Sequence, residues 1–269
     1  MMTISMSTHP LISLVFVNYH SFWHLSCALE SLLGKETNFG QYEVIIVNND
    51  SQEQLALEQL SRLYQRVKIF PSRNLGFGAG SNKGASIARG AILGFINPDV
   101  SWHTPVLAQI AEHFAQNRDD ILGLALLDEK GEPTNYGEES LPSLLQLFES
   151  NLFPKFMKRK SITRPLMWVS GGALFLKRST FEKIEGFDEN FFLYFEDVDF
   201  CVRAKKNNFH VRCLPQLSIV HKGGKSFTSR TEQKKYFYQS QRLYYEKHRS
   251  FFERIVLKCL QNIFCFRHL

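Results

Sequence analysis

The sequence predicts an α/β protein built on a mostly parallel, doubly wound sheet. LISLVFVN (11–18) and YEVIIVN (42–48) are nearly continuous apolar runs rich in β-branched residues. Such runs fit strands buried on both faces. Helical stretches separate these runs from one another and from VKIF (67–70) and AILGFINPDV (91–100). Strand alternating with helix makes βαβ units and a parallel sheet. The strand ends carry Asn18-Tyr19-His20, Asn48-Asn49-Asp50 and Asn97-Pro98-Asp99. Ligands of doubly wound sheets sit beyond those carboxyl ends.

In order, the first strand stops at Tyr19, His20 and Ser21, and a helix follows to about Leu33, closed by Gly34. Asp50 and Ser51 cap the helix after the second strand, with Leu55, Leu60 and Leu63 on helical spacing. The third strand leads into a glycine-rich loop and a small-residue helix, PSRNLGFGAGSNKGASIARG (71–90), and Pro98 stops the fourth strand. A helix is expected over 104–117 and a strand over 121–127. From Asp128 to Pro165 no clear period survives, which suggests a long excursion of the lid or binding-loop kind. LMWVSGGALFLKR (166–178) restores a strand with a glycine pair inside it, a mark of close approach by a ligand or another backbone. FHVRCLP (209–215) and SIVHKGGKS (218–226) are the last extended segments.

With 269 residues the chain forms one large domain, or one domain with an appendage, and can bury a real core. The net charge is +6, but from Lys222 onward there are eleven Lys/Arg against three Glu. The basic character is thus C-terminal, which argues against nucleic acid as partner and for a localised anionic contact. Five cysteines show neither a CxxC pair nor ligand spacing with histidine. A reducing compartment fits them best. The first ten residues, expected to be flexible, lack a signal-peptide pattern. No apolar run is long enough to span a bilayer.

Residues 187 to 203, FDENFFLYFEDVDFCVR, are the centre of the chain. Phe187, Phe191, Phe192, Tyr194 and Phe195 are followed at once by Glu196, Asp197 and Asp199. Carboxylates against an apolar wall lose solvation, and a raised pKa suits a general base. The same acids also suit the first turn of a helix. Asp99, at a strand end, could ligate a hard divalent ion, although Asn-Pro-Asp alone reads as a turn. Gly76, Gly78 and Gly80 echo a dinucleotide fingerprint, with Asp99 about twenty residues on. Ser81 stands where a glycine is required, however, and Pro71 to Leu75 separate the loop from its strand. His221 could ligate a metal, but a single histidine is more often structural.

Taken in order, LVFVNYHS, VIIVNNDS, RNLGFGAGSNKG, FINPDV, WVSGGALFLKR, GFDENFFLYFEDVDFCVRAKKNNF and VHKGGKS resemble a family 2 glycosyltransferase of the GT-A fold, closest to the bacterial rhamnosyltransferase-like branch. The resemblance covers about residues 11–228, leaving 229–269 as a basic helical extension. It implies an inverting, metal-dependent enzyme using Mg²⁺ or Mn²⁺ and a dTDP- or UDP-linked sugar, with rhamnose as the leading sugar. The acceptor would be a glycan or lipid-linked molecule in surface-polysaccharide assembly, at the cytoplasmic face of the cell membrane. Another hexose or galactofuranose, or a non-catalytic sugar-nucleotide-binding partner, are the alternatives. The resemblance assigns Asn18, Tyr19, Asn48, Asn74, Gly76, Asn82 and Asp99 to the nucleotide-sugar. It assigns Trp168, Gly171, Gly172 and Glu196 to the acceptor side and Asp197 to the catalytic base, with Glu196 beside it. Asp99 and His221 would be the metal ligands. The chain has VNN where the family commonly has VDN, so Asn48 keeps its hydrogen bonds to a pyrimidine edge without the charge.

Near the end, Phe251, Phe252, Ile255, Val256, Cys259, Leu260, Ile263 and Phe264 recur at helical spacing. Arg254, Lys258 and Gln261 fall towards the other side, and Lys247, Arg249 and Arg267 flank the segment. Such a helix either docks on the core or lies on an anionic membrane surface.

Overall fold

The computed structural model describes residues 10–116, 118–134, 137–138, 168–222 and 229–265. Residues 1–9, most of the irregular excursion after Asp128, Gly223, Gly224 and Arg267 lie outside them, as do the side chains of Ile263 and Phe264.

An eight-stranded sheet runs in the order β3-β2-β1-β4-β9-β6-β10-β5. The strands β1 (Ile12–Asn18), β2 (Tyr42–Asn48), β3 (Val67–Pro71) and β4 (Ile92–Ile96) are mutually parallel. Their connections are α1 (Phe22–Lys35), a 3₁₀ turn (Ser51–Glu53) running into α2 (Gln54–Leu63), and α3 (Phe77–Ile87). Gly34 lies inside α1, one residue before its end. Beyond β4 the sheet is mixed. β9 (Ala173–Lys177) runs antiparallel to both β4 and β6 (Asp120–Leu127). β10 (His210–His221) is parallel to β6 and antiparallel to the short β5 (Val100–Ser101). The two extended segments expected near the C-terminal side are thus one strand, irregular between Leu214 and Ser218. The expected strand over 166–178 is two, β8 (Trp168–Val169) and β9, parted by a turn at Gly171 and Gly172; β8 pairs with β7 (Gly137–Glu138).

Period-two alternation serves both faces of the sheet. Ile12, Leu14, Phe16, Val44 and Ile46 point to one side, where Leu25, Leu29 and Leu32 of α1 and Ile110 and Phe114 of α4 (Leu107–Ala115) complete a core. Val15, Ile45, Val47, Leu93 and Phe95 point to the other. There α3 lies so close to β1 that a Cβ at position 84 would stand 2.3 Å from Val15 Cγ1. Small residues in α3 are what permit this approach. On this face too lie Phe181 of α5 (Arg178–Lys183), Phe187, and Phe200 and Ala204 of α6 (Glu196–Lys206).

Two helices follow β10: α7 (Arg230–His248) and α8 (Phe251–Cys265). A third apolar cluster joins them to the segment before and within α6: Phe191, Phe195, Val198, Val202, Tyr244, Tyr245 and Leu257. The face that α8 buries differs from the expected one. Leu257 is inside, and so is Gln261, which accepts from Arg242 Nε and donates to Gln241 Oε1. Phe251, Phe252 and Ile255 are 76%, 72% and 46% exposed. Packing against α7 selects the face, and a buried glutamine is tolerated because its amide is bonded on both sides.

Candidate functional site

Parallel pairing of β1 and β2 puts Asn18 opposite Asn48 at the carboxyl edge of the sheet. Asn18 Nδ2 donates to Asn48 Oδ1 at 2.9 Å and to Glu53 Oε2 at 2.8 Å. Asn48 Oδ1 also accepts from Asp50 N, and its Nδ2 donates to Asp50 O and Gln54 Oε1. All four hydrogen-bonding positions of this amide are therefore occupied within the chain. The side chain braces the loop that carries Asn49 and Asp50. Tyr19 is 39% exposed at the mouth, its ring 4.1 Å from that of His20. His20 Nδ1 lies 2.7 Å from Asp50 Oδ2.

The glycine loop closes the next side. Gly76 begins α3 with φ 103°, and a Cβ there would meet the Phe192 carbonyl oxygen at 2.2 Å, so only glycine fits. Phe77 N donates to that carbonyl at 2.9 Å. Asn74 Oδ1 accepts from Gly76 N at 3.2 Å and lies 3.5 Å from Asn49 Nδ2. Asn82 does not point at open space: its Nδ2 donates to Phe187 O and Glu189 Oε1, and its Oδ1 accepts from Phe187 N. It ties α3 to the loop before the acidic stretch.

Asp99 and His221 converge because β5 pairs with the end of β10. Val100 stands opposite His221, and Lys222 N donates to Asp99 O. Asp99 Oδ1 is 3.1 Å from His221 Nε2, and Asn97 Nδ2 is 3.4 Å from the same nitrogen. Burial raises the Asp99 pKa, but the His221 hydrogen bond and charge, with a smaller pull from His24, outweigh it and hold the carboxyl below its ordinary range. An ionised oxygen donor beside an imidazole fits a divalent ion. Among the described residues no group of three or more His, Cys, Asp or Glu could hold a metal ion. The protein donors fit an ion whose remaining ligands are phosphate oxygens and water.

The acidic turn is tied to the same sheet edge through the glycine pair, since Gly171 N bonds Asp197 and Gly172 O bonds Asn97 N. Tyr194 and Phe195 both adopt left-handed backbone, with φ 68° and 65°. Two adjacent non-glycine residues there store about 1–3 kcal/mol each, and such strain persists only where the surroundings over-determine it. The turn delivers Glu196 and Asp197 to the first positions of α6. Asp197 Oδ2 accepts from Gly171 N at 2.9 Å and Oδ1 from Val198 N at 2.8 Å. Burial pushes the Asp197 pKa up, opposed by these two N–H donors. Glu196 is buried, and its Oε2 has no hydrogen-bond partner among the described residues. Burial and the neighbouring Asp197 charge push its pKa well above the usual value. Glu196 is pushed up further than Asp197, because Asp197 receives N–H donors from Gly171 and Val198 that oppose its burial. Trp168 Nε1 is a second buried group without a partner among the described residues, on the strand that packs against α6. Gly172 N donates to Ser170 Oγ, and Gly172 O accepts from Asn97 N, which ties the glycine pair to the Asp99 turn.

The structure also brings in residues that sequence reasoning passed over. Glu53 accepts from Asn18, Ser21 N and Phe22 N, capping α1 from a neighbouring loop. Asn49 is buried, and its Oδ1 has no hydrogen-bond partner among the described residues. Tyr236 of α7 stacks on Phe192 at 4.5 Å, and burial, Glu232 and Tyr19 push its phenol pKa up. No local pattern marks these three, since their role comes from which elements meet.

The fold recurs among solved structures. S. aureus TarS superposes with a TM-score of 0.60 at 17% identity, covering 86% of this chain and 38% of that one. A mannosyltransferase from Pyrobaculum calidifontis, solved with GDP-Man and Mn²⁺, gives 0.60 at 14% identity, covering 89% and 64%. These establish a GT-A architecture, and this chain spans only part of either protein. In sequence, the N-acetylglucosaminyl-diphospho-decaprenol L-rhamnosyltransferase of Mycobacterium tuberculosis is 28% identical over 77% of this chain and 74% of its own. The rhamnosyltransferase WbbL of Escherichia coli is 22% identical over 67% and 72%. A low-salt glycan biosynthesis hexosyltransferase of Haloferax volcanii is 23% identical over 78% and 66%. A model for the N-terminal domain of galactosyltransferase matches residues 155–224. The family model for glycosyl transferase family 2 matches residues 13–185, from the first strand through the glycine loop and the Asp99 turn to α5. With that match spanning more than half of the chain, the chain belongs to glycosyl transferase family 2.

Proposed function

We propose that the chain is an inverting glycosyltransferase that moves a sugar, L-rhamnose first among candidates, from a dTDP- or UDP-linked donor to a glycan or lipid-linked acceptor. The observation that carries this reading is the arrangement of Asp197: a buried carboxylate held by Gly171 N–H and Val198 N–H, with the adjoining Gly172 carbonyl bonded to Asn97 N of the Asp99 turn. The acceptor hydroxyl gives its proton to Asp197 as its oxygen attacks the anomeric carbon. The bond from that carbon to the diphosphate breaks in the same displacement, with inversion. One base and no covalent intermediate are needed. Asp99 and His221 would hold Mg²⁺ or Mn²⁺, which when bound neutralises charge on the diphosphate. Tyr19, Asn49, Asn74 and Gly76 line the donor side, and Trp168, Gly171, Gly172 and Glu196 the acceptor side. Relatives that carry rhamnosyltransferase names support rhamnose, and one names a decaprenol-linked acceptor.

On this reading residues 11–228 form the catalytic domain and 229–269 a basic helical extension. No helix among the described residues is long and apolar enough to cross a membrane. Exposed Phe251, Phe252 and Ile255 beside exposed Arg254 and Lys258 support a peripheral contact with anionic lipid at the inner face of the membrane. The testing experiment is donor hydrolysis across a panel of nucleotide sugars with Mg²⁺ or Mn²⁺. Selective turnover of a dTDP- or UDP-linked sugar is expected. No turnover and no nucleotide binding would overturn the reading.

A further inference from the structure

Every turn of one face of α7 is tied to the segment that presents the two carboxylates. Gln233 Nε2 donates to Tyr194 Oη at 2.8 Å. Tyr236 stacks on Phe192, and Phe237 packs on Tyr194 and Phe195. Ser240 Oγ donates to the Leu193 carbonyl at 2.7 Å. Tyr244 lies against Phe195. At the end of the helix, Lys247 Nζ and His248 Nε2 reach Asp199 Oδ1 at 2.6 and 2.7 Å.

Asp199 is fully buried, two residues beyond Asp197. Its other oxygen accepts from Arg203 Nε at 2.8 Å, and Arg203 also donates to the carbonyls of Ile184 and Gly186. Lys247 further bridges to Asp188 Oδ2 at 2.5 Å. Two carboxylates and two permanent cations thus form a balanced cluster. It joins the loop before the acidic turn, the first turns of α6 and the end of α7. His248 Nδ1 lies 3.5 Å from Lys206 Nζ, so the imidazole bridges Asp199 and Lys206. Meanwhile the start of α6 has no side-chain cap of its own, and the two residues before Glu196 are in left-handed backbone. Backbone bonds such as Phe77 N to Phe192 O and Asp199 N to Phe195 O anchor the ends of the 191–196 segment, and α7 contacts it at successive turns.

We infer that Lys247 and His248, acting through Asp199, are positioning residues for the catalytic Asp197, so that α7 completes the active site rather than merely covering it. This rests on the transferase reading above, in which Asp197 is the base. The side-chain bonds of Asn18, Asn48 and Asp99 at the strand ends do not involve this cluster. Loosening it moves the base against the acceptor and leaves donor binding alone.

The test uses the full chain with a matched pair, His248→Gln and His248→Asn. Both are amides; only glutamine is long enough to place a donor at the position of Nε2. Three quantities are read: turnover, nucleotide affinity by calorimetry, and amide exchange of peptides covering 168–176 and 191–200. The expected result for His248→Asn is a fall in kcat of about tenfold to a hundredfold, the scale for a misplaced catalytic group. Nucleotide Kd should stay within about twofold, the signature of an interaction absent from donor binding. Exchange at 191–200 should accelerate, and His248→Gln should restore both turnover and exchange. Equal behaviour of the two variants, or unchanged kcat and exchange in His248→Asn, overturns the inference. If His248→Asn does not fold, Lys247→Met is read against Lys247→Arg by the same criteria. A wild-type chain without turnover on any donor refutes the transferase reading instead, and the exchange data then decide the positioning role alone.

Discussion

The amide of Gly171 donates to Asp197 Oδ2 at 2.9 Å. This bond joins the turn between β8 and β9 to the first turn of α6, and it opposes the upward push of burial on the Asp197 pKa. Asp197→Asn keeps the shape and loses the base. Turnover should fall by about a hundredfold or more, as loss of a general base does, with nucleotide affinity unchanged by calorimetry. Wild-type turnover in the folded variant would remove Asp197 from the mechanism.

Glu196 sets a pH dependence of stability. Its folded-state pKa is raised by burial and by Asp197. The stability that its protonated form contributes is complete below the ordinary glutamate range and is lost as pH rises through the raised value. Glu196→Gln has no proton to lose. Its melting temperature should match wild type at acid pH and exceed it by about 2 °C or more at neutral and alkaline pH, given the shift per kcal/mol for a chain of this size. A scan of Tm against pH for both proteins checks this, and parallel curves would contradict it.

Asp99→Ala should weaken nucleotide binding by about tenfold or more when Mn²⁺ is present, because an ion on the diphosphate contributes several kcal/mol. With EDTA the variant and wild type should bind alike. Calorimetry in the two buffers separates the cases, and an identical loss in both makes Asp99 purely structural. His221→Ala should follow the same pattern, since its imidazole is within 3.1 Å of the carboxylate.

The exposed face of α8 predicts lipid binding. The full-length chain should sediment with anionic liposomes at low salt and dissociate as salt rises, each basic residue near the surface contributing about 1 kcal/mol. Phe251→Asp with Phe252→Asp should abolish sedimentation and leave donor hydrolysis intact, because both side chains face away from the core. Indifference of the wild-type chain to such liposomes would refute the contact.

Much of the sheet is legible locally. An uninterrupted β-branched run such as LVFVN can only be buried on two faces, and turn residues at Asn18, Asn48 and Asn97 then fall at the carboxyl edge by period alone. The acidic stretch after five aromatics announces perturbed carboxylates for the same reason, since solvation is lost next to apolar surface whatever the fold. The glycine loop is also readable as a close approach. Its partner is not, because the Phe192 carbonyl that excludes a Cβ at Gly76 comes from a distant turn.

Long-range pairing decided the rest. β9 enters the sheet antiparallel, which no periodicity encodes, since a strand has the same side-chain period in either direction. Register between β5 and β10 brings His221 to Asp99. Asn48 looked free to meet a base, yet Asn18, Asp50 and Gln54 occupy its whole amide. Helical spacing in 251–264 specified an amphipathic helix, but which side is buried depended on the surface that α7 offered, and that surface took Leu257 and Gln261 and left Phe251 and Phe252 outside. The sequence by itself determined which segments are strands, where the polar strand ends lie and that carboxylates meet an apolar wall, because these follow from local period and solvation. Only the tertiary structure decided strand direction, side-chain partners and the outward face of α8, because each depends on which distant group fills a given bonding position first.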